Sequence, residues 1–140
     1  MVTKTTAVTK NLWAGRIVSA LPILFLLLDG VMKLVKPAIV VNATVQLGYP
    51  EGVILPLGII LLGCVILYLI PRTSVLGAIL LTGYLGGAVA TQVRVGNPLF
   101  SHILFPSYVG MLLWGGLWLR DPRLRKFIPL RCRSEHDRVD

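Results

Sequence analysis

The chain has 140 residues, of which 55% are hydrophobic and 14% charged, with a formal net charge of +8 and a mean hydropathy of +0.78. A soluble domain carries about 25% charged residues, and its apolar residues alternate or recur at helical spacing, whereas here they fall in long blocks. The length fits one domain, and the composition excludes a chain built to fold in water.

The first apolar block is too short as it stands. Residues 17–28 lie between Arg16 and Asp29, and a helix of that length covers about 18 Å of a hydrocarbon core about 30 Å thick. A spanning helix must therefore run from about residue 12 to about residue 35, with Asp29 and Lys33 inside it. The other reading of this block is a cleaved secretory signal, with Lys4, Lys10 and Arg16 as its basic region. No small-x-small site follows the leucines, so the span is preferred.

The next two blocks are simpler. Residues 52–71 and 73–93 carry no charge, and each has the roughly 20 residues that a crossing needs. The last block, 103–119, reaches spanning length if its helix begins near Leu99. The expected architecture is an all-α integral membrane four-helix bundle with spans at about 12–35, 52–71, 73–94 and 99–119. Residues 1–11 form an N-terminal segment, 12–120 the membrane domain and 121–140 a basic tail that is poorly ordered at its end.

The connections refine this picture. Pro71-Arg72-Thr73 is a tight turn that makes the second and third spans antiparallel neighbours. Between the first two spans, Ile39, Val40, Val41 and Val45 are set against Asn42, Thr44 and Gln46, the pattern of a short interfacial helix. Gly96-Asn97-Pro98 is a turn signal before the last span. Gly83 and Gly87, four residues apart, predict a smooth face for close helix packing.

Lys and Arg set the orientation. Eleven lie on the side of the termini and Arg72, and three lie on the other side: Lys33, Lys36 and Arg94. Both termini are therefore expected in the cytoplasm, with the chain multi-pass in the cell (inner) membrane. The basic tail reads as juxtamembrane attraction to anionic lipid, and no nucleic-acid partner is expected.

Polar residues gather near the outer ends of the helices. Asp29, Lys33, Gln92, Arg94 and His102 are the candidate binding residues, with Glu51 before the second span and Ser101 at the start of the fourth. An ionised residue near a helix centre costs about 2.5–3.5 kcal/mol on insertion scales, so Asp29 needs a cation. Lys33, one turn away, and Arg94, with its planar fork, are the candidates. Two readings follow: an ion network of Asp29, Lys33 and Arg94 that fixes helix register, with His102 an interfacial hydrogen-bonder, or a cavity in which the surplus cation and His102 bind a quinone head, a lipid phosphate or a small oxyanion.

Other chemistries find no residues. His102 and His136 are placed on opposite sides of the bilayer, so no bis-histidine haem or metal cluster is expected. Cys64 lies within a span and Cys132 in the tail, which leaves no disulfide pair. GYLGG lies inside an apolar helix and is not a phosphate loop. No catalytic residue is assigned and no intrinsic cofactor is expected; any electron carrier, such as a quinone, must come from a ligand or a partner.

The run LLLDGVMKLVKP, then LGYPEG, LYLIPRTSVLGAILLTGYLGGAVATQVRVGNPLFSH and WGGLWLRD, resembles the DoxX-like membrane proteins of the wider DoxX/DoxD group, over roughly residues 21–125. The resemblance implies a four-helix integral membrane protein. Many relatives have Gly-x-x-Lys at the end of the first span, here Gly30 and Lys33, and a proline-arginine turn, here Pro71 and Arg72. They often place histidine before the arginine of the third span, where this chain has Gln92, which argues against proton handling at that position. DoxD-type relatives are associated with a thiosulfate:quinone oxidoreductase and DoxX-type relatives with membrane oxidoreductase assemblies.

Two function classes stay open: a non-catalytic membrane subunit or scaffold, and a subunit of a quinone-linked oxidoreductase using the polar cluster. The first is preferred. The expected partners are the lipid bilayer and a membrane or periplasmic oxidoreductase, with homo-oligomerisation left open. A transporter is a distant third, since four short helices leave little room for alternating access.

Overall fold

The computed structural model of the chain describes the backbone of residues 2–127 and the side chains of residues 13–124. Its helices are α1 (Val2–Val35), α2 (Ala38–Gln46), α3 (Ile54–Leu69), α4 (Ser74–Val95), α5 (Phe105–Arg120) and α6 (Pro122–Phe127). A single 3-10 turn, Glu51–Val53, leads into α3, and a π-helical segment, Leu99–Ile103, leads into α5. Among the described residues there is no strand. Four segments are long and apolar enough to cross a bilayer: Trp13–Val35, Glu51–Leu69, Ser74–Val95 and Leu99–Arg120.

The first helix does carry its two charges. α1 runs without a break through Asp29 and Lys33, which form an ion pair one turn apart. Its lipid-facing stripe is Ile17, Leu21, Leu24 and Leu28, each more than 60% exposed. Side chains at that spacing share one helix face, and a continuous apolar stripe of this kind belongs in hydrocarbon. The helix stops where Lys36 turns to φ 52°, immediately before Pro37, whose ring cannot extend the backbone ladder.

The four long helices form a ring in which α1 packs on α3 and α5, and α4 packs on α3 and α5. Its centre is Leu26 from α1, Leu61 and Val65 from α3, Leu81 from α4, and Leu113 and Leu117 from α5, all nearly inaccessible. Close approach depends on glycines at the contacts. A Cβ at Gly77 would collide with the backbone of Tyr68, and one at Gly116 with Ser19, so α3 meets α4, and α1 meets α5, at backbone distance.

Gly83 and Gly87 do not play the packing part expected of them. A Cβ at either would meet no atom within 4 Å, because this stretch of α4 borders open space and not a neighbouring helix. The start of the tail is structured, and its end, expected to be poorly ordered, lies outside the described residues. Residues 122–127 are helical and Leu124 is buried against the core, since an apolar residue one turn into the helix has the bundle end to cover. Residues 128–140, with Cys132 and His136, lie outside the described residues, as do the side chains of Lys4 and Lys10.

At the Arg72 end the described residues pack closely. Thr73 donates its backbone N–H to Ile70 O at 3.1 Å and its hydroxyl to Leu67 O at 2.8 Å, which fixes the turn between α3 and α4. Tyr68, fully buried, donates to Leu113 O at 2.7 Å and lies 3.2 Å from Ser19 Oγ. Arg120 covers it, donating to Tyr68 O at 3.0 Å with its guanidinium 4.8 Å from the ring centroid, a cation–π arrangement.

Candidate functional site

The other end of the ring is open. α1 and α3 are joined there by α2, which has no buried residue. Beneath α2 lies a cleft of about 570 Å³ walled by all four long helices, a volume within the range of small-molecule sites. Its wall is mostly apolar: Phe25 and Leu26 from α1, Leu57 from α3, Leu85 and Ala88 from α4, Phe105 and Val109 from α5. Phe25 and Phe105 meet edge to face with centroids 5.0 Å apart, a preferred aromatic geometry.

Turn chemistry holds the roof in place. α2 ends in Gly48 at φ 84°, and Tyr49 N donates to Thr44 O at 3.2 Å, the paired signature of a left-handed helix cap. Arg94 reaches across from α4 and donates to Leu47 O at 2.7 Å, with its guanidinium 5.9 Å from the Tyr49 ring centroid. A Cβ at Gly48 would lie 2.9 Å from Arg94 Nη2, so glycine serves both the turn and the contact. Tyr49 and Thr91 join their hydroxyls at 2.8 Å, a second tie between the α2–α3 connection and α4.

The structure divides the five sequence-predicted residues. Asp29, Lys33 and Gln92 border the cleft, whereas Arg94 and His102 do not. Asp29 is paired with Lys33 alone among the described residues; the three-membered network with Arg94 does not form, because Arg94 points along the roof toward Leu47. Gln92 accepts from Asn97 Nδ2, and Asn97 N bonds to Gln92 O at 3.2 Å, so this side chain helps to fold the turn after Gly96 at φ 73°. His102 is exposed in the π-helical segment, with Nδ1 2.7 Å from Ser101 Oγ. Glu51 does not border the cleft either.

Four polar residues that sequence reasoning passed over do border it: Thr44, Tyr49, Tyr84 and Thr91. Thr91 donates to Gly87 O at 2.9 Å and Thr44 to Val40 O at 2.7 Å. Tyr84 is the exception. Its ring packs against the core, the residue borders the cleft, and its hydroxyl, which is not fully buried, makes no hydrogen bond to any described residue. The signal for this wall was available in the spacing of Tyr84, Ala88 and Thr91 with Gln92, which share a face of α4.

Fold and cleft together define a multi-pass α-helical membrane protein with a ligand-sized opening at one end of its bundle. A sequence model of the DoxX-like family matches residues 17–116, and the chain belongs to that family. The matched range holds every residue that borders the cleft. No curated protein and no solved structure matches the chain.

Proposed function

We propose that this DoxX-like protein is a membrane subunit that holds a lipophilic small molecule by its polar end in the cleft beneath α2. The observation that carries this reading is the cleft itself: about 570 Å³, walled by aromatic and aliphatic side chains, with the Asp29–Lys33 pair and Tyr84 along it. Pockets that bury ligands are built this way, with a few convergent polar groups in an apolar wall. The ionisable pair supports the same reading, since charged residues within spans mark functional sites.

The quinone class fits this frame and links the subunit to a membrane oxidoreductase assembly. In such an assembly the subunit acts by binding. The excess of Lys and Arg at the Arg72 end and the termini argues for that end in the cytoplasm, which turns α2 and the cleft outward across the cell membrane.

The test is purification of the full chain from its membrane in mild detergent, followed by organic extraction and mass spectrometry. A stoichiometric lipophile is expected, and Ala88→Phe, which fills the cleft, removes it from protein that elutes normally. A stable protein that carries no lipophile but keeps a partner chain would defeat the ligand reading and favour a scaffold.

A further inference from the structure

The charge and hydrogen-bond ledger of the cleft narrows the ligand. Among the described residues, Asp29 and Lys33 are the only Asp, Glu, Lys or Arg side chains that border it, and they neutralise each other. Arg94, the surplus cation of the sequence, does not itself border the cleft and donates to the carbonyl of the lining residue Leu47. A lipophilic anion seated here would face the Asp29 carboxylate and would have to compete with it for Lys33; moving a net charge into such a site without a dedicated partner is costly. The threonine donors are spent on Gly87 O and Val40 O. Tyr84 borders the cleft with a hydroxyl that has no hydrogen-bond partner among the described residues, and Gln92, which accepts from Asn97, keeps its amide N–H groups as the other neutral donor.

We infer that the cleft selects a neutral lipophile whose carbonyl oxygen accepts a hydrogen bond from the Tyr84 hydroxyl, and that it rejects lipophilic anions of similar length. The inference rests on the proposed ligand-binding role and adds the charge and the hydrogen-bonding sense of the head. A phenol donates to a carbonyl, and in a site of low dielectric the bond is stronger than in water. Phe25, Phe105 and Leu57 face the ring and tail. Tyr84 is thus a binding and selectivity residue.

The test uses the full chain in detergent, titrated calorimetrically with decylubiquinone, dodecanoate and decylbenzene against micelle blanks. Wild type is expected to bind decylubiquinone saturably and dodecanoate at least about tenfold more weakly, a difference of roughly 1.4 kcal/mol. Tyr84→Phe keeps the ring and is expected to weaken decylubiquinone by about five- to tenfold, as for one lost hydrogen bond, while leaving decylbenzene unchanged.

Equal binding of decylubiquinone by wild type and Tyr84→Phe overturns the inference, as does dodecanoate binding as tightly as the quinone. Parallel loss of decylbenzene assigns Tyr84 a packing role and also overturns it. If wild type binds none of the three, the proposed function itself fails; if wild type binds the quinone and the variant does too, only the role of Tyr84 fails.

Discussion

Tyr68 and Tyr84 lie on antiparallel neighbours, α3 and α4, and their hydroxyls meet opposite fates. Tyr68 sits at the Arg72 end, fully buried, bonded to Leu113 O and close to Ser19, with Arg120 over its ring. Tyr84 sits toward the α2 end with its ring on the core and its hydroxyl on a cleft. The glycines repeat the contrast: Gly77 and Gly116 bring helices to backbone distance, whereas Gly83 and Gly87 face no close neighbour. The contrast is one of α4 and its neighbours: Gly77 and Tyr68 are spent on close packing, whereas Gly83, Gly87 and Tyr84 border an opening. The same residue types therefore carry packing in one stretch of α4 and line a cleft in another.

The strongest way to break this comparison is Gly77→Leu. Its side chain has only the Tyr68 backbone to move against, and overpacking at such a contact costs about 3 kcal/mol or more. We expect loss of monodisperse protein in detergent and a collapse of the thermal unfolding midpoint, while Gly83→Ala stays within about 0.5 kcal/mol of wild type, as surface substitutions do. Equal tolerance at both glycines would show that the two ends do not differ in packing.

Next in size is Lys33→Met. It leaves the Asp29 carboxylate without its partner on a side chain about one-third exposed. The cost falls between the limits for exposed and buried pairs, about 1–3 kcal/mol, and reversal is expected in Lys33→Met/Asp29→Leu, where no unpaired charge remains. Thermal unfolding of both variants and of wild type measures the coupling.

The tyrosines are compared directly by two conservative changes. Tyr68→Phe forfeits the bond to Leu113 O and is expected to lower stability by about 1–2 kcal/mol, as when a buried acceptor loses its donor. Tyr84→Phe removes a hydroxyl with no hydrogen-bond partner among the described residues and is expected to change stability by less than about 0.5 kcal/mol. Smallest in energy is Arg94→Ala, which frees Leu47 O. Global stability is expected to fall by less than about 1 kcal/mol, while amide exchange across residues 38–47 accelerates, because local opening of a roof that buries no residue becomes easier.

Much of the architecture was legible because the bilayer imposes it. Length and lack of charge marked 52–71 and 73–93 as spans, and the shortness of 17–28 required α1 to continue through Asp29 and Lys33, as it does. Turn residues announced two of the stops: Pro71 and the Gly96-Asn97-Pro98 run fall at helix ends. Even the helix between the first two spans followed from its mixture of apolar and polar residues.

The assignment of side chains to partners was not legible. Arg94 suits a carboxylate by its chemistry, and only the path of the chain at Gly48 brings Leu47 O to it instead. The Gly83 and Gly87 spacing is that of a packing face, yet the faces of α4 that meet α3 and α5 carry Gly77, Ala78, Leu81 and Leu85. Tyr84 reads as one more aromatic in a membrane helix until the ring order of four helices turns its hydroxyl toward the space under α2.

The sequence by itself determined that four segments are long and apolar enough to cross a bilayer and about where the spans lie, because hydrocarbon thickness and backbone hydrogen bonding constrain any chain of this composition. The tertiary structure alone decided which of two candidate cations meets Asp29, which glycines touch and, among the described residues, which tyrosine hydroxyls find a partner. Those outcomes depend on helix rotation and neighbour order, which are set by packing many side chains at once and leave no local mark in the order of residues.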